Sequence, residues 1–453
     1  MSWTDGIVQL VFGQYGTQIP QTKSDLVYRD NKKSVTIFNP ATLKTVMVDR
    51  YAAEILKLVD NGSDISAIAL KLAVKCDMHP AIATLRTLQY LSSFQKLNFV
   101  SIPVTIDVPV PTRTIEKLKF PAPVLVSWEV TKTCNLNCSH CASQIMEGRE
   151  LDTQEALALI EHMHETGVFM LSFSGGEPLI RPDIFLLLER VRELGMEFGL
   201  TTNGTLLDEK IVRKLASLEP FNVHISIDGV GEVHDSFRNM PGVFDKAINS
   251  LKLFKKYGIP HGITTSITRR NVGDLDNIKD FVKQNDIRSW EIFFAIPVGN
   301  LEKAEALNSE QFIELAGKIE SIRRELDRTR VVVGDSLGYF GKKCIRDEEW
   351  NGCTAGINHC SIDAYGNVKG CPVQPSELIE GNVRDKSLSE IWSSDLAFQY
   401  NRKDVKLEGY CAKCRHKNEC RAGCKTSAFH ITGTIKENRM CLHFLENSNY
   451  CET

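Results

Sequence analysis

Cys134, Cys138 and Cys141 lie in the run T-C-N-L-N-C-S-H-C, a C-x3-C-x2-C spacing that places three thiolates on one tight loop after the apolar stretch Val124 to Val130. Four cysteines saturate a zinc or iron–sulfur site, whereas three around a four-iron cluster leave one iron open to an outside ligand. By itself the run also suits a zinc site whose fourth ligand lies elsewhere in the chain. Further on, the strand-like run Phe169 to Phe173 ends in Ser174-Gly175-Gly176-Glu177-Pro178. Two glycines permit a close backbone approach to a ligand, and a carboxylate beside them suits an ammonium group.

Together the two motifs closely resemble those of the radical S-adenosylmethionine (SAM) enzymes. The resemblance implies that the open iron binds the amino and carboxylate groups of SAM. It implies also that SAM is split into methionine and a 5'-deoxyadenosyl radical, which removes a hydrogen atom from an unactivated bond. Gly175, Gly176 and Glu177 would then hold the SAM amino group. Thr202 and Asn203 in T-T-N-G, and Ser226 and Asp228 in S-I-D-G, follow the next two strand-like runs. As residues they read as turn formers; by resemblance they contact the ribose and methionine of SAM. Arg238, in H-D-S-F-R-N, stands where related sequences carry a basic residue, and a surface arginine is the plainer alternative. His140 stands where relatives carry an aromatic beside the cluster, with adenine stacking and packing both open.

A second cysteine system follows. Cys353 and Cys360 precede G-N-V-K-G-C, which ends at Cys371, and then come Cys411, Cys414, Cys420, Cys424 and Cys441 with spacings x2, x5, x3 and x16. A C-x2-C start suits structural zinc, yet eight ligands also suffice for two four-iron clusters. The order resembles the SPASM extension of radical SAM enzymes. By that resemblance one auxiliary cluster uses Cys353, Cys360, Cys371 and Cys424, and the other Cys411, Cys414, Cys420 and Cys441, giving three 4Fe-4S clusters in all. Cys360 is open to replacement by Cys344, or to an iron left free for substrate. Cys76 reads as a small buried apolar residue, and Cys451 has no assignment.

The elements that must position these groups divide the chain. At 453 residues it is too long for one compact core. The net charge of -3 with 25% charged residues gives no polyanion-binding footprint, and no run approaches the roughly 18 apolar residues of a membrane span. Neither nucleic acid nor membrane is therefore expected as a partner. Met1 to Gly16 has no basic cluster before an apolar stretch, so no signal peptide is expected. Fourteen cysteines in a reducing cytoplasm favour metal ligation over disulfides.

Residues 1–97 read as an N-terminal module. Strand candidates Leu26 to Tyr28, Ser34 to Phe38 and Val46 to Val48 precede helices at Tyr51 to Val59, after a Ser63 cap, and from Pro80 to about Ser93. Strands followed by three helices suggest a winged helix-turn-helix, and the outline resembles leader-peptide recognition modules, which bind an extended peptide by strand addition. A DNA-binding alternative expects basic residues on the last helix, where Pro80 to Ser93 carries only Arg86. Residues 98–122 form a proline-rich linker. From 123 to 300, six strand–helix repeats with strands at Val124 to Val130, Phe169 to Phe173, Glu197 to Thr201, Asn222 to Ile227, Gly262 to Ile267 and Glu291 to Ile296 argue an α/β partial (β/α)6 barrel. The polar motifs fall where its strands end. Residues 301–343 read as a bridging segment with one amphipathic helix, Ser309 to Thr329, and 344–453 as the iron–sulfur SPASM domain.

The expected function is a cytoplasmic radical SAM maturase that crosslinks or otherwise modifies a ribosomally made precursor peptide held by its leader. An external electron donor such as flavodoxin or ferredoxin would reduce the cluster. The alternative on the same motifs is a radical SAM/SPASM enzyme acting on a folded protein or a small-molecule cofactor precursor, such as that of a haem or quinone cofactor.

Overall fold

In a computed structural model of the chain the described residues are 18–22, 26–30, 35–39, 44–76, 78, 80–104, 106, 120–143, 148–337 and 352–448. They fall into two compact units, Met1–Phe120 and Pro121–Thr453. Among them no helix is long and apolar enough to cross a membrane.

The first unit runs β1 (Gln21–Thr22), β2 (Val27–Asp30), β3 (Val35–Asn39), β4 (Lys44–Val48), α1 (Arg50–Asp60), α2 (Ile65–Lys75), α3 (Pro80–Lys96) and β5 (Val100–Ser101). β2, β3 and β4 form an antiparallel sheet, and β1 pairs with β5. The Asp49 and Asp64 side chains cap α1 and α2 by accepting from Ala52 N and Ala67 N. The expected Ser63 cap is therefore corrected: the Ser63 hydroxyl accepts from Lys71 Nζ at 3.2 Å, and the carboxylate of Asp64, one residue on, caps the helix. Cys76 is likewise corrected. It sits at the C-terminal end of α2, beyond the apolar stripe of Ile65, Ile68, Ala69 and Leu72, and is exposed. The module also extends past residue 97. Phe99, Val100, Ile102 and Ile106 join its buried core, and Ser92 Oγ donates to Ile106 O at 2.9 Å, so the first part of the expected linker is packed structure. Pro109 and Pro111 lie outside the described residues.

The second unit contains one ten-stranded sheet in the order β12-β11-β10-β9-β8-β7-β6-β13-β14-β15. Its strands are β6 (Leu125–Glu129), β7 (Met170–Ser174), β8 (Glu197–Thr202), β9 (Asn222–Ser226), β10 (His261–Ile267), β11 (Ser289–Phe294), β12 (Arg330–Val333), β13 (His359–Ile362), β14 (Asn367–Lys369) and β15 (Gly381–Asn382). The six expected strands are β6 to β11, mutually parallel in chain order. The alternating helices are α4 (Thr153–Thr166), α5 (Ile184–Glu193), α6 (Glu209–Ser217), α7 (Glu232–Arg238), α8 (Val243–Tyr257), α9 (Leu275–Gln284) and α10 (Ser309–Glu325). A capping box between Asp152 and Glu155 starts α4, and left-handed Gly167 stops it.

Strand register sorts the two faces of the sheet. Ile362, Trp128, Phe173 and Leu200 lie in one row across β13, β6, β7 and β8, all essentially inaccessible. Each large apolar side chain withdrawn from water in this way contributes about 1.5–3 kcal/mol. The adjacent row, on the other face, is Ser361, Ser127, Ser172 and Gly199, all small, with Ser127 and Ser172 partly exposed.

β12 corrects the reading of 301–343 as a bridging segment alone, because it adds a further parallel strand to β11. The buried stripe of α10 is Phe312, Leu315, Ala316, Ile319 and Ile322. The extension is also not a detached domain: β13 pairs in parallel with β6 and carries β14 and β15 antiparallel beyond it. Short helices complete it, α11 (Leu388–Ser393), α12 (Gln399–Arg402), α13 (Gly409–Lys413), α14 (Lys417–Cys420), α15 (Lys425–Thr432) and α16 (Leu442–Ser448). α16 packs on α10.

Candidate active site

β6 delivers the cysteine run at the C-terminal edge of the sheet, and residues distant in sequence pin the loop that follows. Thr131 Oγ1 and Lys132 N donate to the Glu150 carboxylate at 2.9 and 2.7 Å. Lys132 Nζ pairs with Glu129 at 2.8 Å, both side chains nearly buried. Asn300 donates from its backbone to Cys141 O at 2.9 Å and from its side chain to Cys138 O at 3.1 Å. Gly299 lies so close that a Cβ there would meet Cys141 O. Asn239 Nδ2 holds Asn137 O at 2.6 Å.

Donors are aimed at sulfur as well. Leu136 N and Asn203 Nδ2 point at Cys134 Sγ from 3.4 and 3.9 Å, and Arg238 Nη1 at Cys138 Sγ from 3.8 Å. Burial pushes the Cys134 thiol up and the Cys138 thiol up to about 11. Ligation to iron removes the proton outright, and the N–H groups then face thiolates that can accept from them. Three cysteines on one loop with donors on two of the sulfurs therefore fit a cluster with one open iron.

The glycine pair serves a different purpose from the one its sequence suggests. A Cβ on Gly175, where φ is +137°, would meet Thr131 O, and one on Gly176 would meet Thr133 O. Two protein backbones approach each other here, laced by Gly176 N to Thr131 O at 2.8 Å and Glu177 N to Thr133 O at 2.9 Å. Glu177 is fully buried. Its carboxylate accepts from Thr202 Oγ1 at 2.8 Å, Asn203 N at 2.8 Å and Leu179 N at 3.1 Å. Burial raises its pKa while these donors oppose the rise, and a cation bound alongside would favour the carboxylate form. Asn203 Nδ2 also reaches Asn135 Oδ1 at 2.9 Å, tying β8 to the cysteine loop.

Asp228 is the hub of the next strand end. It is inaccessible and pairs with Arg238 at 2.5 Å, while its second oxygen accepts from Ser266 N at 2.7 Å. Burial works to raise its carboxyl, yet the Arg238 guanidinium holds it below the usual range. Arg238 is thus no surface arginine: its side chain is 11% exposed and bridges Asp228 to Cys138. His140 stacks on Phe237, centroids 4.2 Å apart, with Nε2 3.9 Å from Asp228; burial pushes it down to about 4, which fits the packing role. Ser226 is half-buried at the end of β9. Asn271, missed in the sequence, is fully buried and donates to both Asp228 O and Ser266 O at 2.8 Å. Its neighbour Arg270 reaches Ser139 Oγ at 2.8 Å. No local pattern marks Asn271 or Arg270: apart from the nearby Ser266, their partners Asp228 and Ser139 lie tens of residues or more away.

In the extension, Cys411, Cys414, Cys420 and Cys441 act on one another electrostatically, and burial pushes Cys420 well up. Cys371 Sγ lies 3.6 Å from Thr426 Oγ1, two residues beyond Cys424, and Cys353 and Cys371 both act on Tyr400. Cys360 is placed differently. It sits inside β13 at the register position of Val126, is inaccessible, and burial pushes its thiol up to about 12 with Arg402 opposing. Cys344 and Cys451 lie outside the described residues.

Residues 128–282 match the radical SAM superfamily and residues 353–415 the SPASM iron-sulfur cluster-binding domain. An AdoMet-dependent heme synthase of Methanosarcina barkeri is 30% identical over 342 residues, covering 71% of this chain and 97% of that enzyme. An Fe-coproporphyrin III synthase of the same organism is 29% identical over 374 residues, 76% and 93% of the two chains. A mycofactocin maturase of Mycobacterium tuberculosis is 31% identical over 340 residues, 71% and 83%. Among solved structures, Streptococcus suis SuiB bound to its precursor peptide SuiA superposes with a TM-score of 0.65 at 16% identity, covering 93% of this chain and 98% of that one; this likeness is one of fold. These findings correct the expected main function. A maturase of a ribosomally made peptide gives way because relatives matched over nearly their whole length are named for haem-type products, which favours the small-molecule alternative.

Proposed function

Because the chain belongs to the radical SAM superfamily and uses SAM with multiple 4Fe-4S clusters, we propose that it acts on a tetrapyrrole precursor of a haem-type cofactor, abstracting a hydrogen atom from a peripheral side chain. The observation that carries this is the nearly complete coverage of the haem synthase relative. Cys134, Cys138 and Cys141 would hold the cluster whose electron, delivered by an external donor of the flavodoxin or ferredoxin type, splits bound SAM.

The chain's own residues then divide the work. Glu177, steadied by Thr202 and Asn203, receives the SAM ammonium, and Gly175 and Gly176 bring that carboxylate close to the cysteine loop. Asp228 fixes Arg238 beside Cys138, and Ser226 offers a hydroxyl at the same edge. Ser127 and Ser172, small and only partly buried on the face opposite the apolar row, would leave room there for part of the substrate. In the extension, Cys353, Cys371 and Cys424, with Cys411, Cys414, Cys420 and Cys441, would ligate the auxiliary clusters, which would supply an acceptor for the electron that the substrate radical loses; Cys360, enclosed within β13, is not among these ligands.

The test is an anaerobic assay of the reconstituted full chain with SAM, a chemical reductant and either Fe-coproporphyrin III or its metal-free form. Formation of 5'-deoxyadenosine matched by a mass change in the tetrapyrrole is the expected result. SAM cleavage that no tetrapyrrole accelerates or consumes would refute this substrate class while leaving the radical chemistry in place.

A further inference from the structure

A cavity of about 580 Å³ opens in the extension between α12, the 403–407 loop and α13, α14 and α15. Five of its lining side chains are cations, Lys403, Lys406, Lys417, Arg421 and Lys425, against the single carboxylate of Asp404. None of the five is in an ion pair among the described residues. Three donate to backbone carbonyls: Lys417 Nζ to Ala412 O at 3.4 Å, Arg421 Nη1 to Asn401 O at 2.8 Å, and Lys425 Nζ to Arg421 O. Lys425 is 2% exposed. Its ammonium carries three hydrogens, and one carbonyl takes only one of them.

The bland explanation is that these cations balance cluster charge, since Cys353, Cys420 and Cys411 all act on Lys425. An oxidised four-iron cluster on four thiolates carries a charge of only about −2. Two such clusters together would offset the lining's net charge of about +4, but Lys403, Lys406 and Lys417 are exposed on the cavity wall, so their charge faces the space itself rather than a buried sulfur. An acidic protein surface could meet the exposed lysines but would not reach a buried ammonium lining a concave site. The volume lies in the range of small-molecule sites, roughly 300–1,000 Å³.

We propose that this cavity binds a small polyanion, a compound carrying at least two carboxylate or phosphate groups. The assignment does not depend on the tetrapyrrole reading, because no residue of the sheet lines the cavity. An anion held here adds negative charge beside the Cys411 and Cys420 cluster site and so disfavours its reduction.

Isothermal titration of the reconstituted full chain at low ionic strength, with tricarballylate in one arm and fructose 1,6-bisphosphate in the other, tests this and distinguishes a carboxylate from a phosphate source. Saturable binding of at least one probe is expected, weakening as salt is raised. Replacing Lys403, Lys406 and Lys417 together by Gln should weaken it about tenfold, the sum of three modest charge contacts, and Arg at all three positions should restore it. Iron content reports on folding of each variant; if the Gln triple loses iron, Lys406→Gln alone carries the test with about a twofold loss expected. A saturating anion should also lower an auxiliary-cluster midpoint potential, read by redox titration with electron paramagnetic resonance. Absence of saturable binding of both probes up to about 10 mM, equal affinity in parent and Gln variants, or binding of an acidic protein alone would overturn the proposal.

Discussion

Asp228 and Arg238 are buried as a pair, so neither can be judged by the loss of the other alone. Removing one partner of such a pair costs about 3–5 kcal/mol because the remaining charge is stranded, whereas removing both together costs much less. Arg238→Met and Asp228→Asn should each lower the thermal midpoint of the anaerobic protein more than the double variant does, by differential scanning fluorimetry. An additive pair would mean the two side chains do not depend on each other. The glycines make a sharper case. Gly176→Ala drives a methyl group into Thr133 O, and backbone cannot yield as a flexible side chain would. The expected outcome is loss of iron from the first cluster with auxiliary iron retained; full iron occupancy would mean the loops separate more readily than their lacing implies. Gly175 and Gly176 also show what a motif conceals, since G-G announced a tight approach but not that the second surface is the chain's own.

At the scale of elements, the site depends on loops at strand ends meeting one another. Changing Cys134, Cys138 and Cys141 together to Ala should abolish SAM cleavage and drop iron from about twelve to about eight per chain; cleavage that persists would remove the triad from the chemistry. A second joint ties α4 to the turn after β15. Arg384 donates to Glu155 at 2.7 Å and to the carbonyls of Tyr365, Arg149 and Glu150. Hydrogen bonds from Arg384, then Arg149, hold the Glu155 carboxyl well below the usual carboxylate range. A depressed value contributes stability above the ordinary glutamate pKa of about 4.5, and that contribution fades as pH falls toward the folded value. Below pH 4.5 proteolysis near residues 383–386 should quicken in the parent, and Glu155→Gln should cleave faster at neutral pH with a flatter acid response. The six core strands were legible because each is an apolar run closed by turn residues. β12 to β15 were not: they are two to four residues long, and their partners are fixed by distant pairing rather than by local pattern. The same holds for Glu150, Asn271 and Asn300, whose roles exist only once the loops converge.

For the whole molecule, the cysteine spacing disclosed the reaction class but not the substrate, because a hydrogen-abstracting centre looks alike whatever lies above it. The N-terminal unit has its own core from Val35 to Ile106, and no proposed cluster or SAM ligand lies within it. Residues 121–453 expressed alone should therefore keep their iron and cleave SAM at the parent's uncoupled rate. Loss of iron in that fragment would show that the first unit supports the second. The pairing of β13 with β6 has a further consequence, for the order in which the molecule is made. Strand β6, which carries the first cysteine loop, finds its outer neighbour only after more than two hundred further residues have been added, roughly 10–50 s of synthesis at about 5–20 residues per second. Throughout that interval the edge of β6 is open to mispairing, and the loop beyond it is not yet fixed. Slower translation between residues 130 and 358 lengthens the interval in which this edge is open, so it should lower the yield of correctly paired chains.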